Sequence, residues 1–433
     1  MARARATREP GAAFAVLMGT YFFLVITSFW VLKPLKKGLF IRSYDEAGLA
    51  IAAIQLTAAQ AELLAKAANV GVAFVAALGF ALLSRRLRRE GLALAVTAFF
   101  LAGHALFAWL LTAPKGPTVW SFYLYGDLYS TLMVTAFFAF LNDSVTPATA
   151  RRLYGPIGLG GVLGGLVGSS GVAVWIEKLD YTQWMGVGFA TGLAILGLAW
   201  AAGRMVGGAA GPSPAPSPAE RRGAGPLGGV FLVARSPYLL SIVAIVSAYE
   251  VTSTLVDFQF TSGVARHLNG DAIGAHFASV FAVTNGVALA VQLALTPLAL
   301  TRWGVGPSLL VLPSALLLGE AGFALLPTLF LASALSVTDN SLNYSIQQSA
   351  REALYVPTTR EEKYQAKAVI DMFVQRLAKV LSVGMSLGLA LWLGDRLGAR
   401  WLAIPTAAAL TLWLVAARFA GRRFGELAKA GRP

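Results

Sequence analysis

There is no cysteine in the 433 residues, so neither a disulfide nor a thiolate nucleophile is available. Histidine is almost as scarce. None of His104, His267 and His276 has a partner at metal-ligand spacing. Charge is thin: 13% of residues are Asp, Glu, Lys or Arg, against about 25% in a soluble globule. Strict alternation of apolar and polar residues is missing, which argues against a membrane barrel built of strands. The glycine-rich run GPIGLGGVLGGLVG from Gly155 lacks the Gly-Lys-Ser/Thr ending of a phosphate-binding loop, and no strand is expected before it. No Ser/His/Asp arrangement stands in a motif context. No catalytic residue, metal or cofactor is therefore expected, and the chain does not read as an enzyme. Gly160, Gly164 and Gly168 recur every fourth residue, so they line one helix face and let a second helix approach closely.

What is abundant is oil. Hydrophobic residues make up 57% of the chain, in runs that reach the roughly 20 residues a helix needs to cross a bilayer. The fold class expected is an all-α polytopic membrane protein. Twelve spans are read at 11–32, 62–83, 92–111, 118–141, 155–176, 184–204, 238–260, 273–300, 306–326, 328–346, 368–393 and 401–419. Residues 47–61 carry Gln55 and Gln60, and are read as an interfacial lead-in. Met1–Pro10 is basic, but the apolar run after it is of spanning length, so no cleavable leader is expected. Pro, Gly, Ser and Ala fill 207–229 without apolar periodicity, the composition of a flexible linker. The organisation expected is an N-terminal six-helix half (1–206), a linker (207–236) and a C-terminal six-helix half (237–433). Two such halves are the plan of major facilitator transporters.

The net charge of +14 suits a membrane protein whose Lys and Arg gather in cytoplasmic loops, and nucleic acid is not expected as a partner. The densest clusters are Arg85, Arg86, Arg88 and Arg89; Arg151 and Arg152; and Arg422 and Arg423. They place both termini and the linker in the cytoplasm. Lys33, Lys36, Lys37 and Arg42 fall on the other side. If the first helix continues past Leu32, the three lysines occupy i, i+3 and i+4 on one face. That face either points into the bundle or forms a basic collar at the membrane edge.

Ionisable groups at membrane depth are costly and tend to face a wet cavity or a partner. Glu62 and Lys66 are four apart and can pair with each other. Asp127 is surrounded by Tyr123, Tyr125 and Tyr129. Glu250 and Asp257, seven apart, share a helix face. Glu320 has no obvious partner. Asp371 and Arg376, five apart, do not face each other squarely, whereas Arg376 and Lys379 share a face. Two like charges on one buried face repel unless an anion sits among them, which points to an anionic solute. Arg351 and Glu352 open a charged stretch that also holds Arg360, Glu361, Glu362 and Lys363. It is either a solvated loop with salt bridges or a gate whose ion pairs open and close.

The stretch REALYVPTTREEKYQAKAVIDMFVQRLAK, Arg351 to Lys379, resembles a motif of the nucleotide transporter family, the ATP/ADP translocases of intracellular bacteria and plastids. Further likenesses follow in order. LKPLK from Leu32 resembles the basic end of that family's first span. FYLYGDLYSTLMVTAFFAFLND from Phe122 resembles its fourth, with Asp127 where Glu is usual. RLYG from Arg152, and SPYLL from Ser236 with the later Tyr249, resemble its fifth and seventh. The likeness runs over essentially the whole chain. Lys37 stands where many members have Asp, and Phe258-Gln259-Phe260 lacks a basic residue that nucleotide carriers tend to show.

The resemblance implies a secondary carrier exchanging nucleotides such as ATP for ADP, or taking them up with protons, by alternating access. On that analogy Lys33, Asp127, Asp257 and Arg376 or Lys379 line the solute path. Added to these, Lys36, Tyr123 and Tyr249 complete the expected substrate site, with Tyr123, Tyr125 or Tyr249 stacking on a base and cations holding phosphate oxygens. Asp127 and Asp257 either carry coupling protons or balance the basic groups. Glu62, Lys66, Glu250, Arg351, Glu352 and Asp371 are the expected gate or coupling residues. The partners expected are the lipid bilayer and an anionic small molecule, in a bacterial inner membrane. Another organic anion or a lipid head group is the alternative cargo, and a non-transporting scaffold or sensor the third reading.

Overall fold

A computed structural model describes residues 11–51, 54–145, 147–206, 226–359, 362, 366–397 and 402–429. Helices dominate. They are α1 (Ala12–Ser43), α2 (Ala58–Arg86), α3 (Arg89–Leu110), α4 (Gly116–Asn142), α5 (Pro147–Trp175), α6 (Tyr181–Val206), the short α7 (Pro226–Arg235) and α8 (Pro237–His267). Next come α9 (Asp271–Trp303, with two π-helical stretches), α10 (Val305–Leu325), α11 (329–353), α12 (367–397) and α13 (Ala403–Lys429). The sequence punctuates some of these plainly. Pro237 opens α8, and the Ser236 hydroxyl before it accepts from the Leu239 amide at 3.3 Å, satisfying a donor that the helix cannot.

Ten helices among the described residues, α1–α6, α8–α10 and α13, are long and apolar enough to cross a bilayer. Their outer faces carry large exposed apolar groups, Leu82, Trp109, Leu318 and Leu325 among them. Water does not tolerate that on a monomer of ordinary size, and lipid does. The chain is an integral membrane protein. The two remaining expected spans are helical but different in kind. In α11 the helix holds Asp339, Asn340, Asn343 and Gln347 and widens into a π-helix at Asn343–Gln347. In α12 a π-helix occupies Ile370–Val374.

Two expectations about ends need correcting. The first span does not stop at Leu32. α1 continues to Ser43, because the lysines after Leu32 alternate with Leu35, Leu39, Phe40 and Ile41, all buried. Residues 47–61 are not a simple lead-in. Leu49–Ile51 (β1) and Ile54–Leu56 (β2) form an antiparallel hairpin, with Leu49 opposite Leu56 and Ile51 opposite Ile54. A reciprocal cap then starts α2: the Thr57 amide donates to Gln60 Oε1 at 2.9 Å, and the Gln60 amide to Thr57 Oγ1 at 3.4 Å.

The chain forms two compact units. The first comprises Met1–Glu46, Ala68–Ala215 and Gly270–Ala282; the second comprises Ala47–Ala67, Pro216–Asn269 and Val283–Pro433. Within the first, α1 lies along α5 and also meets α4 and α6, while α3 packs on α6 and α4. The glycine face expected on α5 is the seam. A Cβ at Gly160, Gly164 or Gly168 would collide with the carbonyl oxygens of Gly19, Phe23 and Thr27 respectively. Only glycine lets the backbones come this close. In the second unit α8 is the centre, packed by α11, α12 and α13, and α10 lies against α11 and α13.

Candidate substrate site

In the first unit the site grows from one turn of α1. Lys36 and Lys37 are buried, and Lys33 is partly so. The collar reading therefore fails, since a collar would leave all three ammonium groups in water. Each amine sits over an aromatic ring. Lys33 Nζ lies 4.3 Å from the Trp30 ring centre and 4.7 Å from that of Phe281. Lys36 Nζ is 4.2 Å from Tyr123, and Lys37 Nζ 5.0 Å from Phe277. Desolvated contacts of this type contribute about 2 kcal/mol or more. Lys36 also forms an ion pair with Asp127 of α4. Gly126 makes this possible: a Cβ there would lie 2.7 Å from Lys36 Cδ, so the lysine stem runs across a bare patch of α4.

The tyrosines differ from one another. Tyr123 is buried with Lys36 on its ring and Phe40 packed at 5.0 Å. Tyr125, offered by the sequence as a stacking platform, is instead a brace. Its hydroxyl donates to the Phe100 carbonyl at 2.8 Å and lies 2.6 Å from His104 Nδ1. His104 is thus a buried structural histidine. In the second unit the Tyr249 ring meets Trp413 edge-on at 5.7 Å. Tyr249 itself is only partly buried.

The second unit gathers the other expected residues. Lys66 reaches Glu62 Oε2 at 3.2 Å, the local pair that spacing suggests, and also forms an ion pair with Asp257 of α8. One ammonium thus bridges two carboxylates on two helices. Glu250, two turns before Asp257 on α8, accepts from Gln375 Nε2 at 2.9 Å and lies 3.9 Å from Lys379 Nζ. Arg376 is exposed, and the Lys379 side chain is about half exposed (52%). The buried face expected for these two is therefore not observed, because their long stems carry the charge away from the helix. Glu320 does have a partner: Gln259 Nε2 donates to its Oε2 at 3.2 Å. Ser253 donates to Asp339 Oδ2 at 2.7 Å. No periodicity could have found those last two pairs, since 61 and 86 residues separate the partners.

Of the expected gate, Glu352 pairs with Lys367, both partly exposed, and Arg351 and Lys367 lie close enough to Asp371 to act on its charge. Lys367 also sits 5.4 Å from the ring of Tyr355, whose hydroxyl burial holds above its ordinary titration range. Arg360, Glu361 and Lys363 lie outside the described residues. Arg42, at the end of α1, pairs with Asp271 at the start of α9. They border an open cleft of about 670 Å³ that also holds Lys178, Asp180 and Trp184. Among the described residues no group of three acids or histidines could hold a metal.

Comparison with solved structures places this architecture. The nucleoside transporter NupG, in a mutant form, superposes with a TM-score of 0.62 over 95% of this chain and 99% of its own, at 13% identity. The xylose transporter XylE from E. coli gives 0.60 over 96% and 99%, at 11% identity. The chain has the major facilitator fold. A bacterial homologue of the human lysosomal transporter Spinster shares it, with a TM-score of 0.57 at 14% identity, covering 98% of this chain and 99% of that one. At such identities the major facilitator fold is all that these likenesses carry. The sequence relatives are narrower. ADP,ATP carrier protein 2 of Arabidopsis thaliana chloroplasts is 24% identical over 353 residues, covering 71% of this chain and 56% of its own. ADP,ATP carrier protein 1 of Chlamydia pneumoniae is 25% identical over 341 residues, covering 69% and 65%. The chain thus spans a little over half the length of the plastid carrier it matches. These relatives are the family that the Arg351–Lys379 motif resembles, and they are carriers rather than enzymes. No family model matches the chain.

Proposed function

We propose that this chain is a secondary-active carrier for nucleotides, exchanging NTP for NDP such as ATP for ADP, or taking them up with protons, by alternating access. The observation that supports it most is the lysine turn of α1. Three ammonium groups on one helical turn, two of them buried, are held by aromatic rings and by one carboxylate on α4. Aromatic faces hold a cation without neutralising it. Asp127 then acts as a placeholder for an anion: phosphate oxygens approaching Lys36 displace its carboxylate, and departure of the phosphate restores the pair. Lysine is a good point-charge partner for phosphate. In the second unit Arg376 and Lys379 supply further exposed cations. The likeness to ADP,ATP carriers fits the same cargo. The distribution of Lys and Arg supports an orientation with both termini cytoplasmic.

A ligand panel on the purified, detergent-solubilised protein tests the cargo. ATP or ADP at a hundred times its Kd stabilises the fold by about 2.7 kcal/mol, visible as a rise in Tm that nucleosides and sugars do not produce. If no nucleotide raises Tm while another organic anion or a lipid head group does, the cargo assignment is wrong.

A further inference from the structure

Four carboxylates of the spans described above differ in what they face. Asp127 faces Lys36, Asp257 faces Lys66, and Glu250 faces Gln375 and Lys379. Among the described residues, Glu320 on α10 has no ion pair and is bonded by Gln259. It is 1% exposed, and the other buried residues of its helix are Ser308, Leu309, Leu312, Pro313, Leu316 and Phe323. Among the described residues its hydrogen-bond partner is the amide of Gln259, itself wholly buried. Glu320 Oε1 and Gln259 Oε1 are both buried without a partner.

That arrangement fits one protonation state. An ionised carboxylate and an amide oxygen are both acceptors, so an anion at Glu320 leaves two buried acceptors with no donor between them. A carboxylic acid and a primary amide can instead exchange two hydrogen bonds, O–H to the amide oxygen and N–H to the carboxyl oxygen. A buried charge without a counter-ion costs several kcal/mol, and such a group ordinarily neutralises. Among the described residues the surrounding elements supply no counter-ion. On α8, Asp257 is engaged by Lys66. On α11, Leu335 lies against Gly319, and Asp339, one turn further, is bonded by Ser253. Tyr344, Arg351 and Glu352 lie further along the same helix. On α13, residues 403–417 contain no titratable side chain. Its basic end begins at Arg418, and Gly421 there meets Gly306, about 21 Å along α10 from Glu320. Arg302, in the last turn of α9, is further still from Glu320 along the chain.

We infer that Glu320 is a proton-binding site: it holds a proton in this arrangement, paired with the Gln259 amide, and releases it when the transport cycle wets the α8–α10 contact. Asp127 and Asp257, each tied to a lysine, are then charge-balancing groups and not the proton carriers. The proton count balances simply. One O–H bond breaks, the carboxylate gains solvation, and one proton leaves to the side that is open.

Infrared spectroscopy of the protein in lipid nanodiscs tests the site without any substrate. Carbon-13 labelling of glutamate marks its carboxyl stretch. The site predicts a protonated-glutamate band at pH 7, where exposed carboxyls of ordinary pKa, about 4, are ionised, and loss of that band in Glu320→Gln. Gln259→Leu, which keeps the acid and removes its partner, shifts the band. A wild-type spectrum without the band, or a band that survives Glu320→Gln, overturns the proposal. The transport arm rests on the carrier reading. Nucleotide uptake by wild type should follow external pH by up to roughly tenfold per unit and become flat in Glu320→Gln. A pH profile shared by both proteins removes Glu320 from coupling, while loss of all nucleotide uptake with the band intact would instead count against the cargo.

Discussion

Lys36 pairs with Asp127 because its stem lies on Gly126, the residue immediately before the acid. The position of an ammonium group on α1 is thereby fixed by a missing side chain on α4. Gly126→Val places methyl groups where Lys36 Cδ now is, and the amine must leave its acid. Expected is a folded protein whose affinity for ADP falls at least about tenfold, equivalent to ~1.4 kcal/mol. Titration by thermal shift measures it. Gly171→Ala, which meets open space on α5, serves as the control and leaves affinity unchanged.

Lys66 is the cation that Glu62 and Asp257 share. Removing it leaves two carboxylates side by side, a larger fault than one lost hydrogen bond. Lys66→Met is expected to lower stability by more than the roughly 1–3 kcal/mol of a single orphaned polar group. Adding Asp257→Asn should return part of the loss. A chemical-denaturation series on both variants and the single Asp257→Asn completes the double-mutant cycle. Additive losses would show that the pair is not coupled.

The α1–α5 seam predicts a sharp contrast between glycines of one helix. Gly164→Ala drives a Cβ into the Phe23 carbonyl and should cost about 1–3 kcal/mol by overpacking. Gly155→Ala meets nothing and should be neutral or stabilising, since glycine in a helix interior costs roughly 0.5–1 kcal/mol relative to alanine. Fluorescence-detected size exclusion after heating ranks the two.

Arg42 and Asp271 are both well exposed. Screening makes such pairs weak, with contributions of about 0–1 kcal/mol. Arg42→Ala should therefore change Tm little, and raising salt to 1 M, where the Debye length is about 3 Å, should erase the difference. A large, salt-independent loss would mean that the guanidinium packs as well as pairs.

The sequence reveals those features that depend on short spacing. Ten of the twelve spans expected from hydropathy are long apolar helices, the four-residue glycine repeat finds the α1–α5 seam, and the i, i+4 rule finds Glu62 with Lys66. It misses what long-range packing decides. Nothing local joins Lys66 to Asp257, which are 191 residues apart, or Lys36 to Asp127, which are 91 apart. Continuation of α1 past Leu32 is hidden because hydropathy falls at the lysines, although the residues between them are core. The hairpin at 49–56 is hidden by brevity. Tyr125 reads as a binding aromatic until its hydroxyl is seen bonded to Phe100 and beside His104. Glu320 reads as partnerless because its partner, Gln259, is neutral and lies on another helix.

The proposed exchange of nucleotides needs the α1 lysines. Its most direct measurement is counterflow in proteoliposomes loaded with unlabelled ADP and supplied outside with labelled ATP, for wild type and Lys36→Met side by side. Wild type should accumulate label rapidly only when ADP is inside, and Lys36→Met at least about tenfold more slowly, ~1.4 kcal/mol of lost binding. Label counts in wild-type vesicles that match empty liposomes, from protein shown to be folded, would contradict it.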